Sequence, residues 1–492
     1  MGKSIVIVGA GLGGLAAGIY GQRNGFRTRI YEMAQHPGGQ CASWRRSGYT
    51  FDCCIHHLMG CSPQGKLNRL WRELGALPAE MLYPKECVSV ASPDGKLFLD
   101  YYDPEKLEAE LCSLAPQDRD AIREYVEAVR SFSKHDLMGR MVMDGKTGVL
   151  RSLPTVLKNM KWFRTSMKEF AGRFSDPFLR RAFPLLVYSM PGMPAFLHFV
   201  RHACGQKGDI AWPRGGTATL IKGIETRYAE LGGEIHCGQK VEKILAENGR
   251  ATGIRLADGT DVPADYVVSD ADGRRTLLEL LDGRFLDDRL RGYCKEPADE
   301  TNWAVHVFLG VNRDLSKEPS SLVQLLDEPV TIAGHRLDSL EMQIYGFDPS
   351  MAPEGKGVIK AELVSSYSYW KKLAENREAY EAEKKHVAEQ VVAILEKHFP
   401  GITGQVEVAD VPTLLTWERF MGGTHGFCNG PSKEFKPRDM FGTGVCRAPG
   451  LDRFYFAGVW ATSAGATFLN ALSGKNAVRD ICKKEKIRFR AE

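Results

Sequence analysis

The stretch SIVIVGAGLGG, Ser4–Gly14, decides the fold. Ser4 to Val8 is a β-branched run of the kind buried on both faces of a parallel sheet. It runs directly into the glycine turn Gly9 to Gly14, and an Ala/Leu-rich helix follows to about Asn24. FRTRIYE then reads as a second strand ending at Glu32. Strand, glycine turn, helix and strand with a terminal acid make half of a dinucleotide-binding fold. Gly9 is expected to make the tight turn, Gly11 to admit a pyrophosphate, and Gly14 to let helix and strand pack closely. The helix N-terminus presents unpaired N–H groups and the positive end of its dipole to the phosphates. Glu32 is placed to accept from the ribose hydroxyls and would repel a 2′-phosphate. The pattern alone does not choose between NAD and FAD.

Working outward, the 492 residues suit a two-domain enzyme, and the 43% hydrophobic content supports a large core. A net charge of +4 is too mild to indicate nucleic acid. Twelve cysteines without a C-x-x-C pair point to a reducing compartment, and the cytoplasm is the expected location. No apolar run reaches the roughly 18–20 residues of a spanning helix. There is no second G-x-G-x-x-G on a strand, so no dedicated nicotinamide domain is expected.

After Glu32, Pro37-Gly38-Gly39 makes another turn, and Arg45 and Arg46 follow it. The stretch FDCCIHHLMGC, Phe51–Cys61, then gathers three cysteines and two histidines. If it is extended, alternate residues face opposite ways, so His56 and His57 cannot easily share one ion. No metal site is expected there, and none is assigned elsewhere. Residues 64–75 read as a helix, 90–101 as a hairpin, 104–132 as charged helix and 375–398 as a long polar-faced helix. Leu153 to Phe170 carries apolar residues at helical spacing, flanked by Lys158, Lys161, Arg164 and Lys168. That pattern predicts a helix which either lies in a membrane interface or packs on its own core. The Phe-, Leu- and Met-rich run that follows, 178–200, reads as a tunnel wall or a core.

Three separated segments carry a resemblance. They are VIVGAGLGGLAAG…YE…PGGQ at the start, WPRGGTATLIKGI…GGEI…VEKI…ADYVVSDAD in the middle, and LDRFYFAG…SG near the end. Together they resemble the flavin-dependent superfamily of phytoene desaturase, carotenoid isomerase and retinol saturase, and more distantly the flavin amine oxidases. The resemblance implies an α/β fold: a Rossmann-type FAD-binding domain of the glutathione reductase and amine oxidase kind, with a discontinuous mixed α+β substrate domain. The expected boundaries are 1–90, 206–290 and 412–492 for the FAD domain, and 91–205 and 291–411 for the substrate domain.

Carried over by position, the resemblance puts Gly9, Gly11, Gly13 and Gly14 on the FAD pyrophosphate and Glu32 on the adenosine ribose. Gly39, Gln40 and Arg46 would lie along the dinucleotide, with Gln40 where the family has arginine. Val241 would meet the adenine, and Gly458 would pack on the cofactor. The helix start at Thr467, Phe468 and Leu469 would face the flavin pyrimidine. FDCCIHHLMGC is similar to the FDxGIHYIG pattern of retinol saturase-like members. His56 takes the family histidine, Cys54 replaces a glycine and His57 a tyrosine. A histidine beside the flavin is a natural proton donor, so His56 and His57 are the candidate catalytic residues.

The expected function is therefore FAD-dependent saturation, desaturation or cis–trans isomerisation at carbon–carbon bonds of a long apolar, isoprenoid-like substrate. Peripheral membrane contact through 153–170 accompanies it, and the electron partner is left open. Two rivals stand beside this reading. One is an amine oxidase-like enzyme with Tyr455 and Trp460 as an aromatic cage. The other is a prenyl-lipid binding protein of the same frame without flavin.

Overall fold

The structure is a computed structural model that describes residues 2–187, 192–295, 301–426, 444–462 and 465–492, without the side chains of 146 and 301–304. Residues 188–191 of the apolar run and 463–464 of the C-terminal segment lie outside it.

Ser4–Val8, fully buried, is the central strand of a five-stranded parallel sheet. The order is Glu234–Cys237, Arg27–Glu32, Ser4–Val8, Tyr266–Ser269, Phe454–Phe456. The strand order reverses beside Ser4–Val8, so the strand ends at Val8, Glu32 and Ser269 open onto one crevice, where doubly wound sheets bind ligands. The helix Leu12–Arg23 and the C-terminal helix Thr467–Lys484 pack together on one face of this sheet. A three-stranded antiparallel layer, Val241–Glu247, Arg250–Leu256 and Asp261–Pro263, covers the other.

The second domain is built on a seven-stranded mixed sheet, ordered Val406–Asp410, Thr301–Val311, Gly357–Ser366, His335–Ile344, Ser321–Ile332, Glu86–Ala91, Leu97–Tyr101. The pair Ser321–Ile332 with Glu86–Ala91 is parallel and its other pairs are antiparallel. The expected boundary at residue 90 therefore falls inside a substrate-domain strand. The long helix Arg377–His398 packs on one face of the sheet through Val387, Val391 and Leu395. A helical cap rich in phenylalanine, between Pro104 and Gln206, shares one core with the strands Glu86–Ala91, Leu97–Tyr101 and Ser321–Ile332 of that sheet.

The expected helix over 153–170 is broken into three: Gly145–Lys158, Met160–Arg164 and Met167–Ala171. Asn159 ends the first, and extended backbone at Thr165 ends the second. Each break turns the apolar stripe. Met167 and Phe170 enter the cap core, whereas Leu153 and Leu157 stay exposed beside Val149 and Leu150. No helix among the described residues is long and apolar enough to cross a membrane.

Candidate active site

A cavity of about 1690 Å³ opens where the parallel sheet meets the second domain. The glycine turn forms its floor. Gly9 has φ +94°, the left-handed region that only glycine enters without strain. A Cβ on Gly14 would collide with Gly9 O, and one on Gly13 with Gly458 N. The helix, its strand and the Gly458 turn are therefore packed as closely as backbone allows. The Pro37-Gly38-Gly39 turn folds back onto this floor, with Gly38 N–H donating to Ala10 O at 2.8 Å. A Cβ on Gly39 would stand 3.3 Å from Gly11 Cα.

Of the residues expected to hold the dinucleotide, Gly9, Gly11, Gly13, Glu32, Gly39, Gln40, Arg46, Val241, Gly458 and Thr467 line this cavity. Gly14, Phe468 and Leu469 do not. The Gly14 N–H donates to Asp270 Oδ2 at 2.8 Å, Phe468 is buried in the sheet core, and Leu469 N–H donates to Ala466 O at 3.1 Å. Glu32 is buried, and its carboxylate accepts from Ala10 N–H at 2.7 Å and Ala34 N–H at 2.8 Å. Burial nevertheless pushes its pKa up. Arg46 is paired with Asp410 at 3.4 Å on the cavity rim.

Asp270 is the residue that sequence reading missed. It follows the Tyr266–Ser269 strand, and its carboxylate lies against the glycine turn: a Cβ on Gly11 would come within 2.6 Å of Oδ2. Burial pushes its pKa up to about 7, and the charge of Glu32 adds to this. The signal was present in VVSDAD, where an acid follows a buried strand.

The residues present fit a dinucleotide. Besides the Cβ-free cradle, two cavity-lining side chains carry buried polar atoms with no partner among the described residues, Asp272 Oδ2 and Trp460 Nε1. Such atoms are costly unless a ligand or water satisfies them.

FDCCIHHLMGC runs between the two domains. Asp52 is clamped to Thr217, whose N–H and hydroxyl each donate at 2.6 Å, and burial pushes its pKa up to about 6. Cys54 lines the cavity, while His56 and His57 do not. His56 Nε2 lies 2.9 Å from Glu362 Oε1, which Lys360 Nζ also meets at 2.7 Å. Burial alone would raise the Glu362 carboxyl, but His56 and Lys360 hold it well below the usual carboxylate range. His57 points the other way, and its Nδ1 accepts from Arg201 at 3.2 Å. Burial, with the charge of Arg201, lowers the His57 pKa well below its ordinary value, so it is neutral at pH 7. The two rings diverge, but residues 53–57 belong to no strand and the chain bends at Cys54 and His56, so the divergence does not come from the strand alternation expected of an extended segment. Tyr455 packs in the sheet core under the Arg447 guanidinium, so it does not pair with Trp460 across the cavity as an aromatic cage would need.

With the fold and cradle in place, the comparison with known proteins is direct. The model of the flavin-containing amine oxidoreductases matches residues 12–482. The chain belongs to that family. It is 29% identical to a lycopene-forming phytoene desaturase of Pseudescherichia vulneris over 72% of this chain and 74% of the relative. It is 24% identical to the chloroplastic prolycopene isomerase of Daucus carota over 89% of this chain and 73% of the relative. Among solved structures, an oxidoreductase from Methanosarcina mazei superposes with a TM-score of 0.62 at 18% identity, covering 97% of this chain and all of the other. The protein is an FAD-dependent oxidoreductase in the carotenoid desaturase and isomerase branch of the family.

Proposed function

We propose that this oxidoreductase acts on the carbon–carbon double bonds of a long apolar polyene of the carotenoid or isoprenoid class, by saturation, desaturation or cis–trans isomerisation. The observation that carries the reading is the cavity. At about 1690 Å³ it exceeds the roughly 300–1,000 Å³ of an ordinary ligand pocket, which leaves room beside a dinucleotide. It runs from the glycine cradle to an aromatic wall at Trp44, Trp417 and Phe420. The relatives named for carotenoid chemistry support the same class.

Bound FAD supplies a two-electron donor and acceptor at the end of the cradle. The chain's own residues do the rest. Gly9, Gly11, Gly13 and Gly39 hold the dinucleotide by backbone, and Glu32 takes the adenosine ribose. The aromatic wall orients the polyene and keeps water from it. His56, two residues from the cavity-lining Cys54 but not itself on the cavity wall, is the proposed proton carrier. Its ring keeps 31% side-chain exposure although it lies at the domain junction, and the Glu362–Lys360 pair fixes its orientation. A histidine in that position can donate or accept the proton that accompanies a change at a carbon–carbon bond.

Exposed Val149, Leu150, Leu153 and Leu157 on Gly145–Lys158, with Arg151 and Lys158 on the same helix, give a surface suited to a membrane interface from which such a substrate would be drawn. The test is anaerobic incubation of the purified holoprotein, oxidised and chemically reduced in parallel, with phytoene, poly-cis lycopene or retinol in liposomes, followed by product separation. The expected result is a product of altered saturation or geometry, reduced in the His56→Gln variant at unchanged FAD content. No product from any of these alkenes would refute the proposal.

A further inference from the structure

A second cluster lies away from the FAD cavity, within the helical cap. Among the described residues, Cys87, Asp100, His198 and His202 are all buried, and one ligand-capable atom from each lies within 4.8 Å of the other three. Cys87 and Asp100 come from the paired strands Glu86–Ala91 and Leu97–Tyr101, next to a register shift between Glu86 and Ser89. His198 and His202 are one turn apart on the helix Phe196–Gln206, so their rings share a face. None of the four lines the FAD cavity, and the redox chemistry above uses none of them.

The spacing is slightly tighter than that of a coordination shell. His202 Nε2 lies 3.0 and 3.1 Å from the two Asp100 oxygens, and His198 Nε2 lies 3.2 Å from Asp100 Oδ2. A tetrahedral ion with bonds of about 2.0–2.3 Å sets neighbouring ligand atoms roughly 3.3–3.7 Å apart, within reach of small side-chain rotations.

The orientation of His198 points the same way. Its Nδ1 sits 3.1 Å from Leu186 O, a carbonyl that can only accept, so the proton is on Nδ1 and the Nε2 lone pair faces the cluster. The Tyr125 hydroxyl now bridges the gap, 2.7 Å from His198 Nε2 and 3.2 Å from Asp100 Oδ1. It joins the two groups that an ion would join. One thiol, one carboxylate and two imidazoles suit zinc or cobalt and not calcium or magnesium, which prefer all-oxygen shells. A thiolate and a carboxylate would also neutralise a divalent charge, which an apolar core requires.

We propose that Cys87, Asp100, His198 and His202 form a closed structural site for one zinc-class divalent ion, tying the cap helix to the strand pair. The test uses FAD-loaded protein stripped with a chelator and reloaded with Zn²⁺ or Co²⁺. The expected result is about one ion per chain by mass spectrometry, with a raised melting temperature for the zinc form. The cobalt difference spectrum against metal-free holoprotein should show a sulfur-to-cobalt charge-transfer band and the visible bands of a tetrahedral ion. Cys87→Ser should abolish the charge-transfer band, His202→Gln should cut the stoichiometry by more than half, and His386→Ala, at an exposed surface histidine, should change neither. Zinc loading below about 0.1 ion per natively folded, unsubstituted chain would overturn the proposal, a result that does not depend on the variants folding. A cobalt spectrum unchanged by Cys87→Ser would overturn it equally.

Discussion

Asp270→Asn tests how the FAD cradle is balanced. The Asp270 carboxylate accepts the Gly14 N–H at the turn where the dinucleotide pyrophosphate would lie. Burial, with Glu32 nearby, moves its pKa from 3.8 to about 7, a displacement equivalent to roughly 4 kcal/mol between its charged and neutral forms. An acid with a raised folded pKa binds more protons folded than unfolded, so its contribution to stability falls as pH rises from about 3.8 to about 7. A bound pyrophosphate adds negative charge to the same turn and raises the pKa further. FAD binding should then take up a proton, and affinity should weaken above about pH 7 by up to about tenfold per pH unit.

The Asn variant keeps an acceptor for Gly14 N–H and cannot ionise. The assay is titration of apoprotein with FAD, followed by quenching of flavin fluorescence, across about pH 6 to 9. Near pH 6 the two proteins should bind alike, and near pH 8.5 the variant should bind about tenfold tighter or better. The apoprotein variant should also unfold at higher urea at about pH 8, with a ceiling near 4 kcal/mol. Parallel affinity profiles for the two proteins across the whole range would refute the reasoning.

Gly13→Ala should lower FAD content well below that of the unsubstituted protein while leaving a folded chain, because the added methyl meets the Gly458 turn and Asp270; absorbance per chain after gel filtration checks it. Lys360→Met removes one of the two groups that hold the buried Glu362 carboxylate and leaves His56, so the cost should fall at or below the about 3–5 kcal/mol of a fully broken buried pair, read as a drop in the urea midpoint at pH 7. The deficit should shrink under acid, since Glu362 has a depressed pKa and the stability it contributes fades as pH falls through that value. Leu150→Glu with Leu157→Glu should weaken flotation with anionic vesicles and leave the thermal midpoint within about 1 °C, because both side chains are exposed.

The FAD domain was legible in the sequence because its signal is local. Ser4 to Glu32 holds the strand, turn, helix and acid in one continuous stretch, and the structure keeps each in its expected place. The second sheet was not legible as a sheet, because its strands meet across long separations: Glu86–Ala91 lies parallel to Ser321–Ile332. Residues 153–170 misled for the opposite reason. Helical periodicity persists through the breaks at Asn159 and Thr165, where backbone geometry and not hydrophobic pattern ends the helix.

His56 shows where local reading stops. The sequence offered a histidine near the flavin, but its partners lie some 300 residues away on the strand Gly357–Ser366. Lys360 and Glu362 stand two apart on one face of that strand, both buried among apolar neighbours. A charged pair at that spacing inside VIKAELV was the available signal for a buried ionic partner. The same kind of signal, two histidines four apart on an apolar helix, marks His198 and His202.

The central claim is that FAD on this cradle exchanges electrons with a polyene. The most direct measurement is the absorption spectrum of the holoprotein, mixed without oxygen with phytoene or poly-cis lycopene in liposomes, starting from oxidised and from chemically reduced enzyme. The account predicts that at least one of these alkenes perturbs or discharges the flavin bands in step with formation of a polyene product, and that it does so in only one of the two starting redox states if the net reaction is redox. Flavin bands that stay unchanged from both starting states, with all alkenes recovered intact, would contradict it.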